Sequence, residues 1–394
     1  MIRRGVASFV LCLVILFAGI YLGGHPDRLP GFLRDPLVGD QDTRVVREAI
    51  DRMHDDYYRK ISRSDLADQS IKGIVASLHD RFSNYFTPKE YATFQQQQSG
   101  RFAGVGIGVV PDKQGLKIDE VYDNSPAQRA KIAGGDLIVA VNGTPLAGKS
   151  QDQAVALIKG PIGSDVRLRI RHGDAERDVT LTRATIEVPV VASQEKTLDG
   201  KHYAVIRLDQ FSSGAHGELA AAVRKALARK DDGIVLDLRD NPGGLVTEAQ
   251  LVASEFLSDG KIVTTKGRSV PTRTLDATGD PIAPKTPMVV LVNHNSASAA
   301  EIVAGALQDR GRAKLVGTRT FGKGVFQQVF ELSNGGALDI TGGQYFTPSG
   351  RNLGGRGTAT GAGLTPDVPG EDDPKTPKDD EGVDAALHAL AGQA

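Results

Sequence analysis

Residues Val289 to Gln328 read VVLVNHNSASAAEIVAGALQDRGRAKLVGTRTFGKGVFQQ, and this stretch decides the fold. The apolar run MVVLVN has the composition of a strand buried on both faces and ends at about Asn293. Serines and alanines follow, and the apolar spacing of SAAEIVAGALQD then predicts a helix. A serine at the start of that helix feels the positive end of its dipole, and the next backbone N–H is free to hold an oxyanion. Ser296 and Ser298 both fit that place, and either also fits a plain N-cap. Further on, Gly317–Lys323 matches the first seven positions of a phosphate-binding loop. Gly324, however, stands where Ser or Thr would hold magnesium, and VFQQVFEL continues as a strand rather than a helix, which argues against a nucleotide site.

Upstream, Leu236-Asp-Leu-Arg-Asp-Asn-Pro-Gly-Gly-Leu-Val runs a buried strand into a Pro-Gly-Gly turn. Such a turn lets backbone N–H groups come close to a ligand, as an oxyanion donor must; it also fits a tight connection with no ligand. From about Val188 the strands HYAVIRL, GIVLDLR and MVVLVN alternate with helices such as ELAAAVRKALARK, the pattern of an α/β core. Gly100 to Arg183 is different. GVGIGVV, LKIDEVY, DLIVAVNG and DVRLRIRHG are short strands, interrupted by one helical piece, SQDQAVALIKG. Gly104-x-Gly106-x-Gly108 lacks the dinucleotide spacing and opens into a strand. A glycine-rich turn of this kind can offer N–H groups to a peptide carboxylate, while the adjoining strand edge accepts the peptide as an added strand. Gln41 to Gln98 reads as helices. The last of them, TPKEYATFQQQQ, has Thr87 as N-cap, Pro88 at its first position and Glu90 three residues after the cap. Its four glutamines end a helix or begin a linker.

The chain has 394 residues, enough for two or three domains, with 40% apolar and 24% charged residues. Its 47 basic residues against 48 acidic leave a net charge of −1, which argues against a nucleic-acid partner. Cys12 is the single cysteine, so no intramolecular disulfide forms and thiolate-rich zinc or iron–sulfur sites are excluded. Met1–Gly24 carries Arg3 and Arg4 before an apolar run from Gly5 to Gly24, which reads as a signal peptide or a membrane anchor. No small-x-small cleavage site follows, which favours the anchor. The two arginines would stay in the cytoplasm and the rest would be exported. Residues 25–43 form a Pro-, Gly- and Asp-rich linker. Residues 369–394 form an acidic, Pro-rich tail closing in a short helix, VDAALHALA.

Taken together, SIKGIVASLHDRFSNYFTP, the Gly100–Arg183 pieces, the SASAAE motif Ser296–Glu301 and the motif Thr320-Phe-Gly-Lys-Gly resemble the carboxyl-terminal processing peptidases, or tail-specific proteases. The likeness runs from about Arg44 to Val368. It implies an N-terminal helical region (44–98), an inserted β-rich PDZ domain (99–184) and a crotonase-like α/β protease core (185–368). It further implies an exported serine endopeptidase, periplasmic or otherwise extracytoplasmic, that takes polypeptide substrates by accessible C-termini and needs no metal or organic cofactor. An adaptor protein and a homo-oligomer are compatible with it. Residue by residue, the family's nucleophile matches Ser298, its general base Lys323 and its third member Gln327. The oxyanion donors fall at Ala299 and at Gly243 or Gly244. Asp309, in the family's Gln-Asp pair, and Glu301, which closes the serine motif, are carried as supporting residues. Phe102, Gly104, Val105, Gly106, Ile107 and Gly108 are carried as the peptide-binding segment. Ala300 replaces a serine of the pattern that is not the nucleophile.

The residues themselves accord with that chemistry. A serine hydroxyl needs a base, and none of the eight histidines has a triad-like setting. A lysine can serve only when neutral, so its site must pull its pKa down from about 10.4 by burial. Lys323, between Phe321 and Val325-Phe326, has an apolar, glycine-flanked setting suited to that, and Gln327 at i+4 on the same strand face would orient it. A non-catalytic peptide-binding relative would have lost Ser298 or Lys323; both are present.

Overall fold

The computed structural model describes residue 19, residues 41–355, 358, 361–372 and 379–392. The Met1–Gly24 segment, expected to be a signal peptide or membrane anchor, therefore lies, but for Gly19, outside the described residues. No described helix is long and apolar enough to cross a membrane.

The chain divides into two compact units, at His79/Asp80. In the first, the helices Gln41–Asp56 and Arg63–Ala76 form a hairpin. The Ser62 hydroxyl caps the second helix by accepting from the Asp65 N–H at 3.0 Å. The stretch read as wholly helical to residue 98 thus parts at residue 79. Its remainder supplies a strand, Asn84–Phe86, to the second unit, followed by the helix Pro88–Ser99 with the expected Thr87–Glu90 capping box.

The core of the second unit is a six-stranded sheet. Its order is Val191–Leu198, Lys201–Leu208, Gly233–Asp237, Met288–Val292, Lys314–Gly317, Val368–Pro369, and every pair after the first is parallel. Gly233–Asp237 and Met288–Val292 are buried along their whole length, as parallel strands covered on both faces must be. On one face lie the helices Ala215–Arg229, Val246–Ser254 and Ala299–Asp309. On the other, the C-terminal helix Glu381–Ala391 buries Val383, Ala386, Leu387 and Leu390 against Val205, Val235, Val289 and Leu291. A second sheet pairs Ala337–Phe346 with Asn84–Phe86, Lys261–Gly267 and Val325–Glu331.

The strand Arg101–Gly104 leads into the β-rich insertion, and Ala184–Glu187, paired with it antiparallel, leads out. Between them the strands Ile107–Asp112, Gly115–Val121, Leu137–Val141, Asp165–His172 and Ala175–Thr182 form a sheet with its own core of Leu116, Ile118, Ile138, Leu168 and Ile170. Asp165–His172 buries alternate residues, matching its alternating sequence. Ile107–Asp112 is an edge strand, and its free side faces the helix Gln151–Ile158 across a groove.

Candidate active site

Ser298 stands immediately before the helix Ala299–Asp309, at φ 55° and ψ −114°, a conformation that an L residue adopts only under constraint from its surroundings. The constraint is visible. The Ser298 N–H donates to Glu301 Oε2 at 3.0 Å, its carbonyl accepts from the Ile302 N–H at 2.9 Å, and the Ala297 N–H donates to the Asn241 carbonyl at 2.9 Å. Gly243 packs directly on the serine, where a Cβ would meet Ser298 Cβ at 2.7 Å, so only glycine fits there. Ser296 has another task. It is fully buried, its hydroxyl donates to the Leu238 carbonyl at 2.7 Å and accepts from the Asn293 N–H at 2.9 Å, and it does not line the cleft.

A cleft of about 590 Å³ is lined by Ser298, Lys323, Gln327, Gly243 and Gly244, bringing these residues from three separate segments to one wall system. The two glycines differ. The Gly243 N–H donates to Asn241 Oδ1 at 2.8 Å, and Asn241 is itself held by its Nδ2 donating to the Leu208 carbonyl. The Gly243 carbonyl and the Leu245 N–H both bond to Phe211 in a parallel bridge, so the Gly244 N–H between them points the opposite way. Among the described residues no acceptor takes the N–H of Gly244 or of Ala299, at the start of the helix.

Lys323 lies in the loop before the strand Val325–Glu331, not on the strand, and a register shift between Phe326 and Gln327 breaks the two-residue alternation. The i to i+4 argument for Gln327 therefore fails as geometry, although both side chains reach the cleft. Gln327 Nε2 donates to Thr341 Oγ1 at 3.4 Å. Burial pushes the Lys323 amine below its ordinary value, against the pull of Asp339, Glu301 and Asp80, which favour the charged form. Its Nζ sits 5.2 Å from the centre of the Phe82 ring.

Glu301 joins the loop of Ser298 to that of Lys323. Its carboxylate is fully buried. Oε1 accepts from the Thr320 hydroxyl at 2.5 Å and the Gly322 N–H at 2.8 Å; Oε2 accepts from the Lys323 N–H at 2.9 Å and the Ser298 N–H at 3.0 Å. Burial raises its pKa while these four donors pull it back. Tyr345, wholly buried, donates its hydroxyl to the Lys323 carbonyl. Asp309 stands elsewhere, at the far end of the helix from Ser298, about 16 Å away at 1.5 Å per residue. Its carboxylate accepts from Ser349 N–H and Oγ at 2.9 and 2.6 Å and pairs with Arg351, and it does not line the cleft.

The sequence reading missed Asp339, which lines the cleft beside Lys323. It sits on the strand Ala337–Phe346, opposite Val329 and Asn84. Burial lifts its pKa to about 6, with Lys323 pulling it down and Asp80 pushing it up. It belongs to no motif, and only its pairing across two strands brings it to the site. No histidine lines the cleft. Among the described residues, no cluster of His, Cys, Asp or Glu is placed to hold a metal ion.

The insertion's groove, about 370 Å³, is lined by Phe102, Gly104, Val105, Gly106 and Ile107, with Val155 and Ile158 opposite. Gly108 is not part of it; a Cβ there would face Glu120 instead. Gly106 has φ +81°.

Residues 202–369 match the model of peptidase family S41, and residues 117–172 match that of a PDZ domain. A protein of Staphylococcus haemolyticus named "Probable CtpA-like serine protease" is 33% identical over 89% of this chain and 71% of its own length. One of the same name from Staphylococcus aureus is 36% identical over 80% of this chain, which spans only 62% of that relative. Among solved structures, a photosystem II D1 C-terminal processing protease is 26% identical over 89% of this chain and 97% of its own, with a TM-score of 0.50.

Proposed function

The chain belongs to peptidase family S41, with the CtpA-like serine proteases of the carboxyl-terminal processing type, and on that premise we propose that Ser298 and Lys323 form its catalytic dyad. The neutral Lys323 amine takes the proton of Ser298 Oγ as the oxygen attacks the scissile carbonyl. The N–H groups of Ala299 and Gly244 hold the oxyanion, which costs no reorganisation because their backbones are already fixed. Collapse breaks the C–N bond, and the protonated lysine gives its proton to the leaving amine. Water, deprotonated by the same lysine, then hydrolyses the acyl-enzyme and regenerates Ser298. Gln327 orients the amine without adding charge.

The observation that carries this reading is Glu301. One buried carboxylate accepts from the N–H of both Ser298 and Lys323, so nucleophile and base are held by a single group. Substrate is captured by its C-terminal carboxylate at the turn around Gly106 and lies as an added strand against Ile107–Asp112. The apolar segment of residues 5–24 supports export of the enzyme with that segment as its membrane attachment. The test is hydrolysis of a peptide with a free C-terminus, its products read by mass spectrometry. Wild type should cut near the tail and Ser298→Ala, folded, should not; cleavage by Ser298→Ala at the wild-type rate would overturn the assignment.

A further inference from the structure

The helix Pro88–Ser99 ends in Gln95–Gln98, a run that the catalytic reading leaves unused. Its place in the fold gives it a role. The PDZ groove and the catalytic cleft are neighbouring cavities, and Gln97 and Gln210 line both of them, while Gln98 lines the cleft alone. The passage from the tail-binding groove to Ser298 is therefore walled by primary amides drawn from two separate segments.

Their backbones are fixed. The Gln97 carbonyl accepts from the Gly100 N–H at 3.3 Å and the Gln98 carbonyl from the Ser213 N–H at 3.0 Å. Gln210 is bracketed by Asp209, whose N–H donates to the Val190 carbonyl at 2.9 Å, and by Phe211, paired with Gly243 and Leu245 of the oxyanion turn. Their side chains are not so tied. None of the amides of Gln97, Gln98 and Gln210 has a hydrogen-bond partner among the described residues, and Gln98 Oε1 is buried from solvent without one. A buried carbonyl oxygen with no donor is costly, and the N–H of a bound main chain would satisfy it.

We propose that Gln97, Gln98 and Gln210 are a binding rail for the main chain of an extended polypeptide, threading it from the groove to the nucleophile. A primary amide carries both a donor and an acceptor, so it can pair with a peptide N–H or C=O whatever side chain that residue bears. The rail adds no charge, so it passes acidic and basic residues alike. Selection by sequence is left to the groove at one end and the cleft at the other. The substrate class is an unfolded or extended C-terminal tail long enough to occupy both cavities. This rests on the reading of Ser298 and of the groove given above.

The test uses the full chain and a fluorescent polypeptide with a free C-terminus, long enough to reach from the groove past Ser298. Affinity is measured by anisotropy in the Ser298→Ala background, and kcat and KM are measured in the otherwise native enzyme. Gln98→Met and Gln210→Met keep side-chain length and remove the amide. Each lost hydrogen bond should weaken binding by about threefold to tenfold. The loss should appear in KM with kcat held, and it should be equal for long peptides of different sequence. A short peptide that fills only the groove should bind Gln98→Met as it binds the unaltered chain. Single N-methylation along the substrate's middle should weaken binding to the unaltered chain at one position and have no effect there on the matching Met variant. Unchanged affinity of both variants for the long peptide, or losses that follow substrate sequence, would overturn the rail. Absence of cleavage by native enzyme, with the rail's binding pattern intact, would overturn the peptidase reading and leave the rail standing.

Discussion

Around Ser298 the buried polar groups are tied together. Glu301 takes four donors at 2.5 to 3.0 Å, Asn241 holds the Gly243–Gly244 turn, and Tyr345 holds the Lys323 carbonyl. The PDZ groove is built the other way. Its walls are Val105, Ile107, Val155 and Ile158, and the recognition elements proposed for it are backbone: a glycine turn and an edge strand. The difference follows from the tasks. Chemistry needs a few atoms held to a fraction of an ångström, and one carboxylate is shared between Ser298 and Lys323, the proposed nucleophile and base. Capture of many tails needs a surface that any apolar last residue can enter, and main-chain pairing supplies affinity without a fixed partner. Substitutions in the first region should therefore act on kcat, and those in the second on KM.

The largest effect expected is at the dyad. Ser298→Ala and Lys323→Ala should each lower kcat by about 10⁴-fold or more, as loss of a catalytic unit does. Lys323→Arg should be equally inactive, because guanidinium stays protonated. Circular dichroism should show all three folded. Ser296→Ala should remain active and lose stability, since its hydroxyl bridges Leu238 and Asn293. Equal loss of activity in folded Ser296→Ala and Ser298→Ala would blur the comparison at its root.

Next is Glu301. Glu301→Gln presents an NH₂ where one oxygen now accepts, leaving at least one backbone N–H, that of Gly322 or those of Ser298 and Lys323, facing a donor. We expect a fall in kcat of about 10²-fold with KM little changed, and a melting temperature lowered by several degrees, from a loss of about 3 kcal/mol. A variant that melted lower but kept wild-type kcat would show that the shared carboxylate supports the fold and not the chemistry.

A smaller effect, on KM alone, is expected from Gly106→Ala. At φ +81° a Cβ there would lie 2.1 Å from Ser125 Cβ, so the turn must deform. KM for a free-acid peptide should rise about tenfold, the worth of one charge-assisted hydrogen bond, and kcat should hold. An amidated peptide should bind wild type as weakly as the free acid binds the variant. Identical cleavage of free-acid and amidated peptides by wild type would remove carboxylate capture altogether.

What the sequence made legible follows the same division. The strand, serine and helix of 288–309 and the strand after Lys323 carry local periodicity and motif spacing, and the structure has them where expected. The insertion's strands were legible because half-buried strands alternate. Pairings that cross the chain were not. Asn84–Phe86 joins the sheet of Ala337–Phe346 across some 250 residues, and nothing local announces it. The bulge at Phe326/Gln327 was invisible for the same reason, so Gln327 reaches the cleft with Lys323 by another geometry than the strand alternation that predicted it. Asp309 shows the converse: a motif neighbour of the serine that the helix carries away to Ser349 and Arg351.

The last prediction concerns Asp339, which only the fold brings to the cleft. Its carboxyl titrates near pH 6 because burial opposes its charge, and above that pH the charge favours the protonated form of Lys323. Asp339→Asn removes that opposition. The acidic limb of kcat/KM, which rises as Lys323 loses its proton, should then shift to lower pH, with the alkaline plateau unchanged. A carboxyl whose folded pKa is raised favours folding below its ordinary value near 4 and loses that contribution as pH climbs through about 6. Asp339→Asn should therefore melt higher than wild type at pH 7 to 8, and the gap should close at pH 4. Thermal melts and pH–rate profiles on the same two proteins make the check. A pH–rate profile that does not move, alongside a melting gap that does, would place Asp339 in the fold of the cleft wall and outside the electrostatics of the base.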